Sequence, residues 1–134
     1  MRSKPLVLVV DDDKDFLDIM LVHLRAAGFE PSTLQSWDQG EVVAQCERLL
    51  PDVMLLDIYL SDKPDGIDIA LAIRKNPKTK RVKVLFWSSL NYLLLNAMPQ
   101  NKTLIDKFAP EYFLDKTEDL NTVTRKIQGI LSKS

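Results

Sequence analysis

The chain contains four mainly apolar runs, and each is followed directly by a polar or charged residue. They cover residues 6–10, 53–56, 82–87 and 112–114. Such runs, rich in Val and Leu and without alternation, are typical of strands buried on both faces of a parallel sheet. A weaker strand candidate spans residues 31–34. The pattern therefore predicts five strands.

Between these runs, apolar residues recur at spacings of three and four, which indicates helices. The repeating positions are Phe16, Met20, Leu24 and Ala27; Ile67, Ala70, Leu71 and Ile73; and Leu120, Val123, Ile127, Ile130 and Leu131. Gly28 is placed to cap the first of these helices at its C-terminus. Ser36 and Gln39 have capping-box spacing for a further helix that ends near Leu50.

Strands that alternate with helices predict an α/β fold, a doubly wound parallel sheet with helices on both faces. One stretch, residues 90–111, does not fit this pattern cleanly because Pro99 interrupts it. A proline inside a helix costs about 3 kcal/mol, so we expect a break or an irregular helix at residues 98–102.

Composition narrows the class of protein. The chain has 134 residues, which predicts a single domain, and its 18 basic and 19 acidic residues argue against a generic polyanion binder. This overall balance does not exclude a local charged patch. Cys46 has no second cysteine to pair with, and no apolar run approaches the ~20 residues of a membrane span. We therefore expect a cytoplasmic protein that does not enter the membrane.

Candidate chemistry lies where the predicted strands end, because ligands of such sheets bind beyond the carboxyl ends of the strands. Asp11, Asp12 and Asp57 each follow a buried strand there. Clustered carboxylates need a proton or a cation, and hard oxygen ligands favour Mg²⁺ over zinc. Lys116 and Ser88 would add an ammonium and a hydroxyl at the same edge. Together these groups suit phosphoryl transfer to a carboxylate, with Asp57 as nucleophile.

At this point the chain resembles the receiver domain of two-component response regulators, over residues 6–131. The resemblance rests on five motifs taken in order along the chain. They are Val9-Val10-Asp11-Asp12-Asp13, Pro51-Asp52-Val53-Met54-Leu55-Leu56-Asp57, Pro64-Asp65-Gly66, Ser88-Ser89 and Asp115-Lys116. The resemblance implies a flavodoxin-like five-stranded sheet of order 2-1-3-4-5, and a single receiver domain over residues 1–134.

The resemblance also implies a role for each matching residue. Asp57 matches the phosphoaccepting aspartate. Asp12, Asp57 and the backbone carbonyl of Tyr59 would ligate Mg²⁺, and Asp11 would act through a metal-bound water. Two more residues would hold phosphoryl oxygens, Ser88 as the switch hydroxyl and Lys116 as the family's lysine. Phe113 falls at the position of the switch aromatic.

Three features depart from the usual receiver pattern. Thr117 follows the lysine where the family usually has proline, which puts the cis peptide common at that junction in doubt. The interval between Ser88 and Lys116 is several residues longer than typical. Ser88 stands where threonine is also common, but it retains the hydroxyl that the switch uses.

The resemblance implies a bacterial signalling module, not a classical enzyme, that receives a phosphoryl group from a histidine kinase or a phosphotransfer protein. We expect output through contact with an unidentified downstream protein, without direct DNA binding, since no DNA-binding domain fits after Leu131 unless this is an excised receiver. A homodimer formed on phosphorylation is compatible with this function.

Two alternatives remain open. One is a small haloacid-dehalogenase-type phosphatase that also uses Mg²⁺, which would leave Asp57 without a role. The other is a degenerate receiver that binds partners without being phosphorylated.

Overall fold

The computed structural model describes residues 3–36, 38–58, 65–88, 113–115 and 118–132. In chain order these residues form β1 (Leu6–Asp11), α1 (Lys14–Ala26), β2 (Glu30–Gln35), α2 (Gln39–Leu49), β3 (Val53–Asp57), α3 (Asp65–Lys75), β4 (Lys83–Ser88), β5 (Phe113–Asp115) and α4 (Leu120–Ser132). The labels number the described elements only.

The strands form one parallel sheet in the order β2-β1-β3-β4-β5. This confirms the predicted doubly wound arrangement. The central strands β1 and β3 are buried at every position, which explains their unbroken apolar sequence. The edge strand β2 has only half-buried and exposed residues, and it was accordingly the weakest strand in the sequence pattern.

Alternate residues of each strand contribute to two separate cores. One face of the sheet packs against α2 and α3, where Leu8, Met54 and Phe86 are fully buried. The other face packs against α1 and α4, where Val9 and Leu55 lie among the buried positions of those helices. None of the described helices has the length and apolarity that a membrane crossing would require.

The ends of the first two helices differ in how well the sequence predicted them. Gly28 follows the end of α1 with φ 95°, the left-handed conformation that favours glycine, as expected. Ser36, however, does not cap α2. Asp38 does, because its side chain accepts a hydrogen bond from the Glu41 amide at 2.8 Å. Ser36 instead donates its hydroxyl to the Glu41 carboxylate at 3.1 Å.

Helices α1 and α4 are also joined by a polar contact. His23 of α1 is half-buried, and its Nε2 lies 2.7 Å from the Thr124 hydroxyl and 2.9 Å from the Leu120 carbonyl oxygen, both on α4. The histidine is therefore a packing residue between two helices. Two predictions lie outside the described residues: the break at residues 98–102 and the conformation of the bond between Lys116 and Thr117.

Gly66, in the first turn of α3, packs directly on the backbone of β3. A Cβ there would overlap the Asp57 carbonyl oxygen and lie 2.8 Å from the Ile58 Cα. The Gly66 amide also donates to the Ile58 carbonyl at 3.0 Å. Of the described glycines only Gly28 has positive φ, so the backbone conformation at Gly66 does not itself require glycine. Close approach, rather than φ, requires glycine at position 66.

We predict that Gly66→Ala lowers the free energy of unfolding by about 1–3 kcal/mol, because a backbone atom cannot move aside as a flexible side chain can. The matched control is Gly129→Ala in α4, where a Cβ meets nothing within 4 Å. It should raise the same quantity by about 0.5–1 kcal/mol. Urea unfolding followed by circular dichroism measures both, and equal effects of the two variants would refute the close-approach explanation.

Candidate phosphoryl-acceptor site

Two neighbouring central strands end at an aspartate. The register pairs Val10 of β1 with Leu56 of β3, so Asp11 and Asp57 follow at the same level of the sheet. Asp12 comes next, before α1 begins. The predicted meeting of these three side chains is confirmed, since each offers a carboxylate oxygen within 4.8 Å of the others.

The cluster is largely withdrawn from solvent. Asp11 is 1% exposed, Asp57 is 4% exposed and Asp12 is half-buried. Two carboxylates at such a separation repel each other by about 3–4 kcal/mol at an effective dielectric of 20. A group of this kind is stable only when positive charge or protons offset the repulsion.

Local backbone contacts hold the acidic turn in place. The Asp13 amide donates to the Asp11 carboxylate at 3.0 Å, and the Gln35 side chain donates to the Asp12 carbonyl at 3.2 Å. The Asp13 carboxylate caps α1 by accepting from the amides of Asp15 and Phe16. Asp13 is thus occupied with helix capping, whereas Asp11 and Asp12 belong to the cluster.

The donor set fits a hard cation. Carboxylate oxygens are the ligands that Mg²⁺ prefers, and they leave coordination positions for water and a substrate oxygen. The residues that could have favoured zinc lie elsewhere. His23 is hydrogen-bonded to α4. Cys46 is a residue of α2 that is buried in the core, and this burial raises the pKa of its thiol to about 11. A protonated thiol is a poor metal ligand.

An aromatic pair packs close to the cluster. Trp87 of β4 is paired in register with Asp57, and its ring lies 5.1 Å from that of Phe16 between centroids. Trp87 is 3% exposed and belongs to the core that faces α1 and α4. Trp87 is therefore a packing residue of that core.

The other predicted site residues are placed only in part. Ser88 is the last residue of β4, one position beyond the partner of Asp57, and it pairs with Asp115 of β5. Phe113 begins β5 opposite Phe86. The side chains of Ser88 and Phe113, like the whole of Tyr59 and Lys116, lie outside what the structure describes.

Gly66 is the residue near this site whose role the sequence did not reveal. Its contact with the Asp57 carbonyl brings the start of α3 against the end of β3. The motif Pro64-Asp65-Gly66 marked the position, but spacing alone does not show that two backbones meet there.

Comparison with known proteins assigns the family. The family model of the response regulator receiver domain matches residues 7–128 of this chain. The chain belongs to this family. Relatives include the DNA-binding dual master transcriptional regulator RpaA of Synechocystis, 26% identical over 97% of this chain and 50% of the relative. The transcriptional regulatory protein PrrA of Mycobacterium leprae is 40% identical over 54% of this chain and 30% of that protein. The receiver thus spans half or less of the length of these relatives.

Solved structures agree on the fold. A CheY-like response regulator receiver domain protein from Methanospirillum hungatei superposes with a TM-score of 0.79 at 22% identity, covering 98% of this chain and 96% of that one. A sensor protein from Polaromonas gives a TM-score of 0.78 at 19% identity, covering 96% and 97%. At this identity the likeness concerns the fold alone.

We predict that Asp57→Asn raises the free energy of unfolding by about 1–3 kcal/mol in EDTA, because it removes one carboxylate from the repelling group. Millimolar Mg²⁺ should stabilise the unchanged receiver through binding to the folded state and stabilise the variant much less. Urea unfolding with and without Mg²⁺ measures both effects.

The matched control for this prediction is Asp68→Asn, an exposed carboxylate on α3 that lies outside the cluster. It should leave both the stability in EDTA and the response to Mg²⁺ unchanged. A Mg²⁺ response retained in full by Asp57→Asn would show that this cluster is not the cation site.

Proposed function

We propose that this receiver domain is a phosphorylation-controlled signalling module that takes a phosphoryl group onto Asp57 from a histidine kinase or a phosphotransfer protein. One observation carries the proposal: Asp57 ends a central strand within 4.8 Å of the Asp11 and Asp12 carboxylates. A nucleophile beside a hard-cation site is the arrangement that phosphoryl transfer to a carboxylate requires.

In the proposed reaction a carboxylate oxygen of Asp57 forms a bond to phosphorus while the bond from phosphorus to the donor imidazole nitrogen breaks. The imidazole leaves with the electron pair of that bond and is protonated by solvent, and the product is an acyl phosphate on Asp57. Asp11 and Asp12 would hold Mg²⁺, whose positive charge would offset the carboxylates and the phosphoryl oxygens.

Further roles rest on the match to the family motifs. The Tyr59 carbonyl would complete the metal ligands, and Ser88 and Lys116 would hold phosphoryl oxygens. Ser88 ends β4 next to β3, at the same edge of the sheet as Asp57, which supports its assignment. Phe113 at the start of β5 would serve with Ser88 as the switch pair.

Output is proposed to go through protein contact, with residues 1–134 acting as a single receiver domain. The relatives named above are described as transcriptional or DNA-binding regulators, and the receiver matches only part of their length. A homodimer formed on phosphorylation is compatible with this mode of output.

The phosphatase alternative is less consistent with the site. An Asp-x-Asp signature after the first strand would need Asp13 as a reacting carboxylate, but Asp13 is exposed and caps α1. Asp57, which such an enzyme would not use, lies in the cluster instead. The degenerate-receiver alternative is distinguished by whether Asp57 is phosphorylated at all.

We predict that incubation with acetyl phosphate and Mg²⁺ adds the mass of one phosphoryl group, because acetyl phosphate offers the same reacting phosphorus with acetate as leaving group. Intact-mass spectrometry checks this. Asp57→Asn and addition of EDTA should each abolish the shift, whereas Asp68→Asn should retain it. An equal shift in Asp57→Asn would exclude Asp57 as the acceptor.

A second prediction concerns the lifetime of phospho-Asp57. In receivers, the residues two positions beyond the phosphoacceptor and two beyond the switch hydroxyl border the approach of the hydrolytic water. Here these are Tyr59 and Leu90, and neither side chain can orient a water as a carboxylate or amide can.

We expect the acyl phosphate to decay about tenfold more slowly than in the double variant Tyr59→Asn, Leu90→Glu, which corresponds to about 1.4 kcal/mol of barrier. Decay is followed by mass spectrometry at matched pH and Mg²⁺, and equal rates would show that these side chains do not control hydrolysis.

A further inference from the structure

The strongest local charge asymmetry lies in the connection between α3 and β4. Six of the ten residues from position 74 to position 83 are lysine or arginine, and no aspartate or glutamate occurs between positions 69 and 105. Lys78, Lys80 and Arg81 are exposed. Within the part of the chain that the structure describes, no carboxylate forms an ion pair with these three residues. A chain of net charge −1 thus carries a concentrated cationic surface.

This connection is held in place by its own hydrogen bonds. Thr79 is fully buried and donates its hydroxyl to the Ile73 carbonyl at 2.8 Å. The Arg74 guanidinium donates to the carbonyls of Lys80 and Val82. Because the backbone is already ordered, a ligand that binds the projecting cations would not have to order the loop first.

Beside these cations lies a groove of about 350 Å³ between the connection, the segment before β3 and the end of α4. Its apolar lining comes from Leu50, Pro51, Val82 and Leu131, and its cationic lining includes Lys78 and Arg81.

Two other charged residues of the groove serve the fold. Lys83 donates its ammonium to the Ile130 carbonyl at 2.9 Å, and Asp52 accepts the Leu6 amide at 2.8 Å. Among the described residues, the side chains of Lys78 and Arg81 make no such contact with the fold.

Leu50 is an unexpected residue for its position. It follows the end of α2 in the left-handed conformation, with φ 46° and ψ 61°, and its side chain is 50% exposed. Glycine or asparagine is the usual residue at such a position, because a side chain with a branched apolar group is disfavoured there. Residues held in sparsely populated backbone conformations are concentrated at binding and active sites. The backbone conformation of Leu50 is therefore an observation independent of the charges.

We propose that this groove binds a short acidic segment of a partner protein, with an apolar side chain of that segment against Leu50 and carboxylates paired with Lys78 and Arg81. Charge complementarity favours an acidic occupant. Among the described residues, the apolar lining is aliphatic and offers none of the aromatic platforms on which nucleic-acid bases stack. The groove lies at the opposite end of β3 from Asp57, so the proposal does not depend on phosphorylation.

The test uses a fluorescein-labelled octapeptide of six glutamates with leucine and phenylalanine at its centre, and measures fluorescence anisotropy near physiological salt. The double variant Lys78→Glu, Arg81→Glu should weaken binding by about tenfold or more. The double variant Arg25→Glu, Arg125→Glu changes net charge equally at exposed positions outside the groove and should weaken it by less than about twofold. Equal loss in both variants would overturn the proposal, as would no binding by the unchanged receiver.

Leu50→Asn tests the apolar half of the groove without disturbing the backbone, because asparagine tolerates the left-handed conformation. It should weaken binding of the octapeptide severalfold and leave binding of an all-glutamate octapeptide unchanged. No effect on either peptide would overturn the assignment of Leu50. Tighter binding of an oligothymidylate or of phosphatidylglycerol vesicles than of the octapeptide would also overturn the proposal, in favour of a nucleic acid or a membrane surface respectively.

Discussion

The whole arrangement depends on holding like charges together at one edge of an apolar sheet. Asp11 and Asp57 are among the few polar residues buried in the described chain, and each ends a strand whose preceding residues are buried on both faces. Repulsion between them opposes folding, and the apolar burial of β1 and β3 supplies the opposing free energy. The same repulsion makes the site responsive, because an added cation relieves it and an added phosphoryl group changes it. At a site without such repulsion, a bound cation would not offset an unfavourable term in the free energy of folding.

The central strands and the position of the acidic cluster could be predicted from the sequence, because both follow from a local pattern of apolar and polar residues. Fully buried parallel strands are unbroken apolar runs, and the residue that ends each run must lie at the sheet edge where Asp11 and Asp57 are found. The order of strands came from resemblance to a family, and the register then placed Asp57 beside Trp87 and, one position on, Ser88. The side chain of Ser88 and the placement of Lys116 are the parts of the candidate site that still rest on motif alone.

What the sequence did not reveal depends on distances between segments that no local pattern encodes. The motif Pro64-Asp65-Gly66 marks the position of Gly66, but glycine is required there because a Cβ would overlap the Asp57 carbonyl oxygen across a tertiary contact. Ser36 had capping-box spacing, but Asp38 has the same spacing to Glu41, and the chain enters α2 at Asp38. Both pairs have the local spacing of a capping box, and the structure shows that Asp38 is the one that caps α2. The groove beside Leu50 was equally invisible, since three distant segments form it.

The two ends of the sheet carry charge of opposite sign. Carboxylates gather at the carboxyl end of β3, and lysines and arginines gather before β4, at the other end. The five residues of β3 separate these ends by roughly 16 Å at the rise of an extended strand. This separation is about twice the Debye length of about 8 Å at physiological salt, so the exposed lysines and arginines are well screened, whereas the buried Asp11 and Asp57 carboxylates are screened less. Coupling between the carboxylate cluster and the basic groove would combine a weak electrostatic part with contacts through the packed strands and helices between them. The fold thus places two surfaces of opposite charge at opposite ends of one sheet.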